Sequence, residues 1–282
     1  MIKKISINLR YNDINSIPLL KELIQFLEGF NKTIRLPDYD ILRNDHFSSY
    51  IVETDCFVNN TDLIIAIGGD GTFLRTARLF IENEKPIFGI NRGRLGFLTE
   101  FNPDEYKLYL EKVIHGEFET VDRIALKATH NDSTVLYFLN DAVISKGAFS
   151  RAIRIKIDID GEFLSTYSGD GLIVSTSTGS TAYSLSAGGP IISPSASQVY
   201  LITPICPHTL ANRPMVLPIE KKLSAQVVSE IENLMLTIDG QEAVSINGGD
   251  IIEFANAYKI IKLITHPEKN YYKILREKLA WG

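Results

Sequence analysis

Residues 63–73 read LIIAIGGDGTF. An apolar run from Leu63 to Ile67 stops at two glycines, an acid, a third glycine and a threonine. Such a short continuous run fits a strand buried on both faces of a parallel sheet. Phe73, Ala77, Phe80 and Ile81 then recur at the spacing of one helix face. The stretch reads strand–turn–helix, and ligands of open α/β sheets bind outside the carboxyl ends of such strands.

The flanking sequence extends this pattern. KKISINL (residues 3–9) alternates like a half-buried strand, and IPLLKELIQFLEGF (17–30) carries Leu19, Leu20, Ile24, Phe26 and Leu27 at helical spacing. IRLPDYD (34–40) reads as a strand stopped by Pro37, and PIFGI (86–90) as another buried strand. NPDEYKLYLEKVIHGEF (102–118) predicts a helix capped by Asn102 with Pro103 in its first position. This βαβα alternation predicts a doubly wound, Rossmann-like open α/β sheet over residues 1–116.

From residue 117 the character changes. Short alternating runs are separated by turn signals: a polar turn at 130–133, Asp160-Gly161 and Asp239-Gly240. DIIEFANA (250–257) and KIIKLITH (259–266) read as two further alternating runs. Residues 117–267 are expected to form an all-β, sandwich-like domain. Residues 268–282 are expected to be helical, with Tyr272, Leu275 and Leu279 on one stripe, and to return to the first domain.

Composition narrows the function classes. The 282 residues are 45% hydrophobic and 22% charged, with a formal net charge of −5. That balance is ordinary for a globular chain and argues against one built to coat nucleic acid or an anionic membrane. Two distant cysteines, Cys56 and Cys206, suit a reducing compartment rather than a disulfide framework. With neither a signal peptide nor an apolar run of membrane-span length, the expected location is the cytoplasm.

The glycines at 68, 69 and 71 let a ligand approach the backbone, and free N–H groups beside a helix start suit phosphate oxygens. Asp70 in that space would repel a phosphate unless a cation intervenes or the acid faces another group. Its simplest role is to take the proton of an attacking hydroxyl while Mg²⁺ holds the donor phosphates. The chain has neither a P-loop signature nor a G-x-G-x-x-G helix start. GINRGRLGFLTEF (89–101) supplies Asn91 as a candidate ligand contact, while Gly93 and Gly96 read as structural loop glycines. In LNDAVISK (139–146), Asn140 and Asp141 interrupt an apolar strand; either they face water at a strand end, or they recognise a ligand, an amide pairing with an adenine edge and a carboxylate with ribose hydroxyls. SGDGLIVSTSTGSTAYSLSAGGPIISP (168–194) runs from a strand into hydroxyl-rich chain, with Ser180 or Thr181 expected to cap a helix, and Asp170 stands between glycines as Asp70 does.

Taken in order, GGDGTFLRTAR, GINRGRLGFLTEF, LNDAVISK, the long serine/threonine stretch, TPICPHTLANRPMVLP and TIDGQE resemble the NAD kinase family. The first motif alone is shared with diacylglycerol, sphingosine and phosphofructokinase relatives. The resemblance implies phosphoryl transfer from ATP, another nucleoside triphosphate or polyphosphate to the 2′-hydroxyl of the adenosine ribose of NAD⁺. It implies Asp70 as the catalytic carboxylate, with Gly68, Gly69, Thr72 and Arg75 on the phosphate side. Gly71, Asn140, Asp141, Asp170, Thr178, Thr181, Ala182 and Tyr183 would bind NAD⁺, and Asn91, Ser180, His208, Asn212 and Gln241 are further candidates. Mg²⁺ would arrive with ATP and be held through phosphates, not by a protein-only site. A homodimer or homotetramer is implied. The family usually has Asn-Glu where this chain has Asn140-Asp141, so the shorter carboxylate needs a closer strand or a bridging water. The competing readings are a lipid kinase sharing GGDGT and a protein that senses NAD(H) or NADP(H) without turnover.

Overall fold

The computed structural model describes residues 2–44, 46–93, 96–147, 152–196, 198–209, 211–228 and 234–281. The chain divides into two compact units, Met1–Asp122 with Ile261–Gly282, and Arg123–Ile260.

In the first unit, strands β1 (Lys4–Leu9), β2 (Thr33–Arg35), β3 (Leu63–Gly68) and β4 (Pro86–Asn91) form a parallel sheet in the order β2-β1-β3-β4. Helices α1 (Ile17–Glu28), α2 (Thr54–Asn59), α3 (Asp70–Leu79) and α4 (Tyr106–His115) connect or follow them. Period-two alternation divides the faces. Ile5, Ile7 and Leu9 of β1 join Leu63, Ile65 and Ile67 of β3 in one core with the apolar stripes of α1 and α4. On β1 the intervening Ser6 and Asn8 bond the Phe57 carbonyl of α2 and the Thr76 hydroxyl of α3. Helices thus cover both faces, as the βαβ alternation predicted, and the strand order reverses between β1 and β3. The GGDGT turn leaves β3 at that reversal, where a crevice opens between loops that run to opposite faces.

The helix at 102–118 begins later than expected. Its first residue is Tyr106, with Glu105 at the cap position. The Asn102 side chain makes no cap; instead its backbone N–H donates to Glu105 Oε1 at 3.0 Å, and its carbonyl accepts from Tyr106 N–H.

The second unit is β-rich. Its strands are β5 (Thr120–His130), β6 (Thr134–Phe138), β7 (Asp141–Lys146), β8 (Ile153–Ile159), β9 (Glu162–Gly169), β10 (Gly171–Thr176), β11 (Val199–Ile205), β12 (Met215–Pro218), β13 (Leu223–Val227), β14 (Leu234–Ile238), β15 (Glu242–Ile246) and β16 (Ile251–Ile264). One antiparallel sheet runs β12-β11-β10-β7-β14-β15. The other sets β13 between β16 and β8, with β9 beyond β8 and the β5–β6 hairpin on β16. Ile144, Leu172, Ile202 and Leu236 of the first sheet share a core with Leu126, Ile155, Ala225 and Phe254 of the second. The turns at Asn131-Asp132, Asp160-Gly161 and Asp239-Gly240 all carry positive φ; the register makes the second a two-residue hairpin and the other two three-residue loops.

The two alternating runs at the end are one strand, β16, because Tyr258 at φ 53° kinks the chain without ending its pairing. Its last residues, from Ile261 on, belong to the first unit, where Lys262 and Leu263 pair in parallel with Pro86 and Ile87 of β4. A four-residue helix, α5 (Tyr183–Ser186), follows β10, and α6 (Tyr271–Leu279) closes the chain. On α6 the buried side chains are Ile274 and Leu275; Tyr272 is exposed, contrary to the expected stripe. No helix among the described residues is long and apolar enough to cross a membrane.

Candidate active site

Asp70 is the first residue of α3, with Gly69 extended before it as the cap. Its carboxylate turns to the loop after β4. Phe97 N–H donates to Oδ2 at 2.8 Å. Oδ1 accepts from Leu98 N–H at 3.0 Å, Thr99 N–H at 3.2 Å and the Thr99 hydroxyl at 3.1 Å. A Cβ on Gly96 would overlap both Asp70 Oδ1 and Thr99 Oγ1, so only glycine lets this loop close on the acid. Gly68 ends β3 directly against the Thr72 side chain. Gly69 and Gly71 are exposed, and no atom approaches the open side of Gly69. Arg75 is exposed on α3, its guanidinium over the rings of Tyr11 and Tyr39 at 5.9 and 5.8 Å. Asn91 is 1% exposed, and its amide is used internally by Thr99 and Gly93.

In the second unit a second set forms where β7 begins. Asp239, in the β14–β15 turn, receives the backbone N–H groups of Leu139, Asn140 and Asp141, the Asn140 bond being 2.8 Å. Thr176, the last residue of β10, bonds the Leu139 carbonyl through its hydroxyl and donates its N–H to the Asn140 carbonyl at 2.9 Å. Gly179 lies so close to the Asn140 carbonyl that any side chain would collide with it. Tyr183 N–H bonds the Asp141 carboxylate. The segment 178–183 is therefore brought against Asn140 and Asp141. Among the described residues the Asn140 amide makes no hydrogen bond, and the Thr178 hydroxyl is buried without one.

Asp141 is 5% exposed. Burial, and then the neighbouring Asp239 carboxylate, push its acid up to about 7 against the opposing pull of the Tyr183 N–H. Ser180 does not cap a helix: its hydroxyl turns inward to the Ser177 carbonyl and to the backbone of Ile192. Ala182 occupies the cap position of α5, and the Tyr183 ring is 46% exposed beside it.

Asp170 is not in this cluster. The register pairs Ser175 with Asp141 and Gly171 with Ser145, which puts Asp170 at the other end of the β7–β10 ladder, about 16 Å away at strand rise. It forms a 2.9 Å ion pair with Lys146. His208 belongs to that end, its N–H bonded to the Ser168 carbonyl. Asn212 follows on the same loop, its N–H bonded to the Thr209 carbonyl. Gln241 is at the Asn140 end, in the turn that carries Asp239. Among the described residues no group of three or more His, Cys, Asp or Glu side chains could hold a metal.

Family models describe the same two segments. An ATP-NAD kinase N-terminal domain matches residues 18–118, and an ATP-NAD kinase C-terminal domain matches residues 139–266. A relative named NAD kinase from Trichlorobacter lovleyi is 40% identical over 286 residues, covering 100% of this chain and 99% of its own. The chain belongs to the NAD kinase family. A second relative, the NAD kinase of Aquifex aeolicus, is 45% identical over 225 residues, covering 78% of this chain and 82% of its own. Among solved structures, yeast NADH kinase complexed with NADH matches with a TM-score of 0.90 at 28% identity, over 100% of this chain and 88% of that one. An NAD kinase from Archaeoglobus fulgidus, in complex with ATP, shares the fold at a TM-score of 0.79 and 23% identity, over 99% of this chain and 100% of that one.

In this member of the NAD kinase family, three residues that shape the candidate site escape a reading of the sequence. Gly96 looks like any loop glycine, Thr99 like a strand-end threonine, and Asp239 like the first residue of a hairpin turn. Each acts on a residue distant in sequence, and no local pattern marks it.

Proposed function

We propose that the chain catalyses transfer of the γ-phosphoryl group of ATP to the 2′-hydroxyl of the adenosine ribose of NAD⁺, giving NADP⁺ and ADP. The observation that carries the mechanism is the placement of Asp70: an acid opening a helix at the sheet's reversal point, on an exposed glycine turn. As the new oxygen–phosphorus bond forms, the hydroxyl loses its proton to the Asp70 carboxylate and the bond from the γ-phosphorus to ADP breaks. Gly69, Gly71 and the first N–H groups of α3 suit phosphate oxygens, and Arg75 adds positive charge on the same helix.

In the second unit, the Asn140 amide suits the adenine edge and the exposed Tyr183 ring suits stacking on a base. The Thr178 hydroxyl lacks a partner that a ribose can supply. Asp170 and Lys146 would face the nicotinamide end, which the length of the β7–β10 ladder allows. Mg²⁺ would arrive with ATP and be held through the donor's phosphates, whose charge it would neutralise. The reading includes a cytoplasmic location and self-association into a dimer or tetramer. Light scattering tests the latter.

The deciding experiment incubates the purified chain with NAD⁺, ATP and Mg²⁺ and assigns the phosphorylated hydroxyl by NMR. Asp70→Asn is expected to lower turnover about 10²–10⁴-fold, as for loss of a general base, while NAD⁺ binding by calorimetry persists. Unchanged turnover in that variant would end the base assignment.

A further inference from the structure

The Asp70 carboxylate is held asymmetrically. Oδ1 takes three hydrogen bonds, from Leu98 N–H, Thr99 N–H and the Thr99 hydroxyl, whereas Oδ2 takes one, from Phe97 N–H. The Thr99 hydroxyl has only one proton, and its direction is fixed from behind. Asn91 Nδ2 donates to Thr99 Oγ1 at 3.0 Å and to the Thr99 carbonyl at 3.3 Å. Asn91 Oδ1 in turn accepts Gly93 N–H at 2.7 Å. Turning the amide over would set its oxygen against the Thr99 carbonyl and its NH₂ against an N–H, so the orientation is unambiguous. With one lone pair of Thr99 Oγ1 filled by Asn91, the hydroxyl proton is left for Asp70 Oδ1. Thr99 and Asn91 are both essentially inaccessible to solvent, so water does not compete for these bonds.

The return arm of the loop is secured independently. Glu100 Oε2 accepts His266 N–H at 2.7 Å, and Lys269 Nζ donates to the Glu100 carbonyl and to Glu105 Oε1. Phe101 stacks on Phe88 of β4 at 4.0 Å between ring centroids. The donors facing Asp70 are therefore part of a fixed frame.

From this geometry we infer that Thr99, oriented by Asn91, is a positioning residue that anchors Asp70 through Oδ1 and reserves Oδ2 as the oxygen that receives the substrate proton. This rests on the general-base reading of Asp70. A carboxylate free to rotate would present either oxygen, and misplacement of a catalytic group by about 1 Å costs up to 10²-fold in rate.

The test is kinetic, on the full-length chain with NAD⁺ and Mg·ATP. Thr99→Val keeps the shape and removes the hydroxyl. It is expected to lower kcat about tenfold or more and to leave KM for NAD⁺ within about twofold. Thr99→Ser restores the hydroxyl and is expected to recover the rate. Asn91→Asp reverses the relay, because a carboxylate at 91 draws the Thr99 proton to itself; its kcat is expected to fall as in Thr99→Val, with KM for NAD⁺ again nearly unchanged. A Thr99→Val enzyme with wild-type kcat overturns the inference. So does a loss of rate that serine does not rescue, or one that raises KM in step, since either marks a packing role. Asp70→Asn, measured alongside, separates the two claims. If it alone abolishes turnover while Thr99→Val is silent, only the positioning role fails. If it retains full turnover, the base reading fails and the inference falls with it.

Discussion

At the scale of single residues, Asp141 shows how burial turns a short side chain into a titrating group near neutrality. The pressure comes first from loss of water and second from Asp239, and the Tyr183 N–H only partly relieves it. Its acid is raised from 3.8 in the unfolded chain to about 7 in the fold. The folded state thus holds a proton that the unfolded chain has released throughout that interval. The stability this confers is fully present below about pH 4 and is lost as pH rises through about 7. The slope is about 1.4 kcal/mol per pH decade at most. Asp141→Asn keeps an acceptor for Tyr183 N–H and removes the charge. Urea midpoints measured from pH 4 to pH 8 should therefore fall more steeply in the wild type than in Asp141→Asn, with the variant the more stable of the two at pH 8. Parallel curves would mean that Asp141 is ionised in the fold at little cost.

At the scale of elements, the β14–β15 hairpin works as a clamp on the start of β7. The Asp239 carboxylate satisfies three consecutive N–H groups at residues 139–141, where the chain enters the β7 ladder at Asp141. Leaving buried donors unpaired costs about 1–3 kcal/mol each. Asp239 also sits at φ 48°, a conformation that asparagine tolerates and alanine resists. Asp239→Ala is expected to lose about 3 kcal/mol or more of stability in urea and to bind NAD⁺ more weakly in calorimetry, while Asp239→Asn stays within about 1 kcal/mol. Equal losses for the two would show that the carboxylate is not the clamp. The same hairpin marks the limit of what the sequence discloses. Its turn was legible because Asp-Gly between alternating runs is a local signal, as it was at Asp160-Gly161 and in the strand–turn–helix around Asp70. Its second task was not, because the bond from Asn140 spans 99 positions. Thr99 and Asp70, 29 apart, stayed unconnected for the same reason. Asn102 misled at the helix start because its backbone, not its side chain, meets Glu105. Ser180 misled because its hydroxyl found partners inside the fold instead of at the end of α5. Periodicity reports which face is apolar; it does not report which distant group a polar side chain will meet.

At the scale of the whole molecule, the chain begins in one unit, builds a second, and comes back to finish the first. Strands β1–β4 and their helices are synthesised early, yet their sheet gains a parallel neighbour only when Lys262 and Leu263 arrive beside β4. The segment after β16 then adds Ile274 and Leu275, both buried, and ties Glu268 to Tyr109 and Lys269 to Glu105. Such closure between distant parts of the chain is entropically slow and comes late in folding. Its energetic weight follows from the apolar side chains alone. Each contributes about 1.5–3 kcal/mol when fully buried, and 1 kcal/mol shifts the melting point of a domain this large by about 2–4 °C. A chain ending at residue 266 should therefore melt about 10 °C or more below the full chain by circular dichroism. The same truncation removes Lys269 from the Glu100 carbonyl, one residue from Thr99. NADP⁺ formation at temperatures well below the melt should consequently fall as well. A truncated chain that melts and turns over like the full one would mean that the first unit is complete without its returning segment. If stability falls while turnover holds, the segment supports the fold but does not steady the loop that faces Asp70.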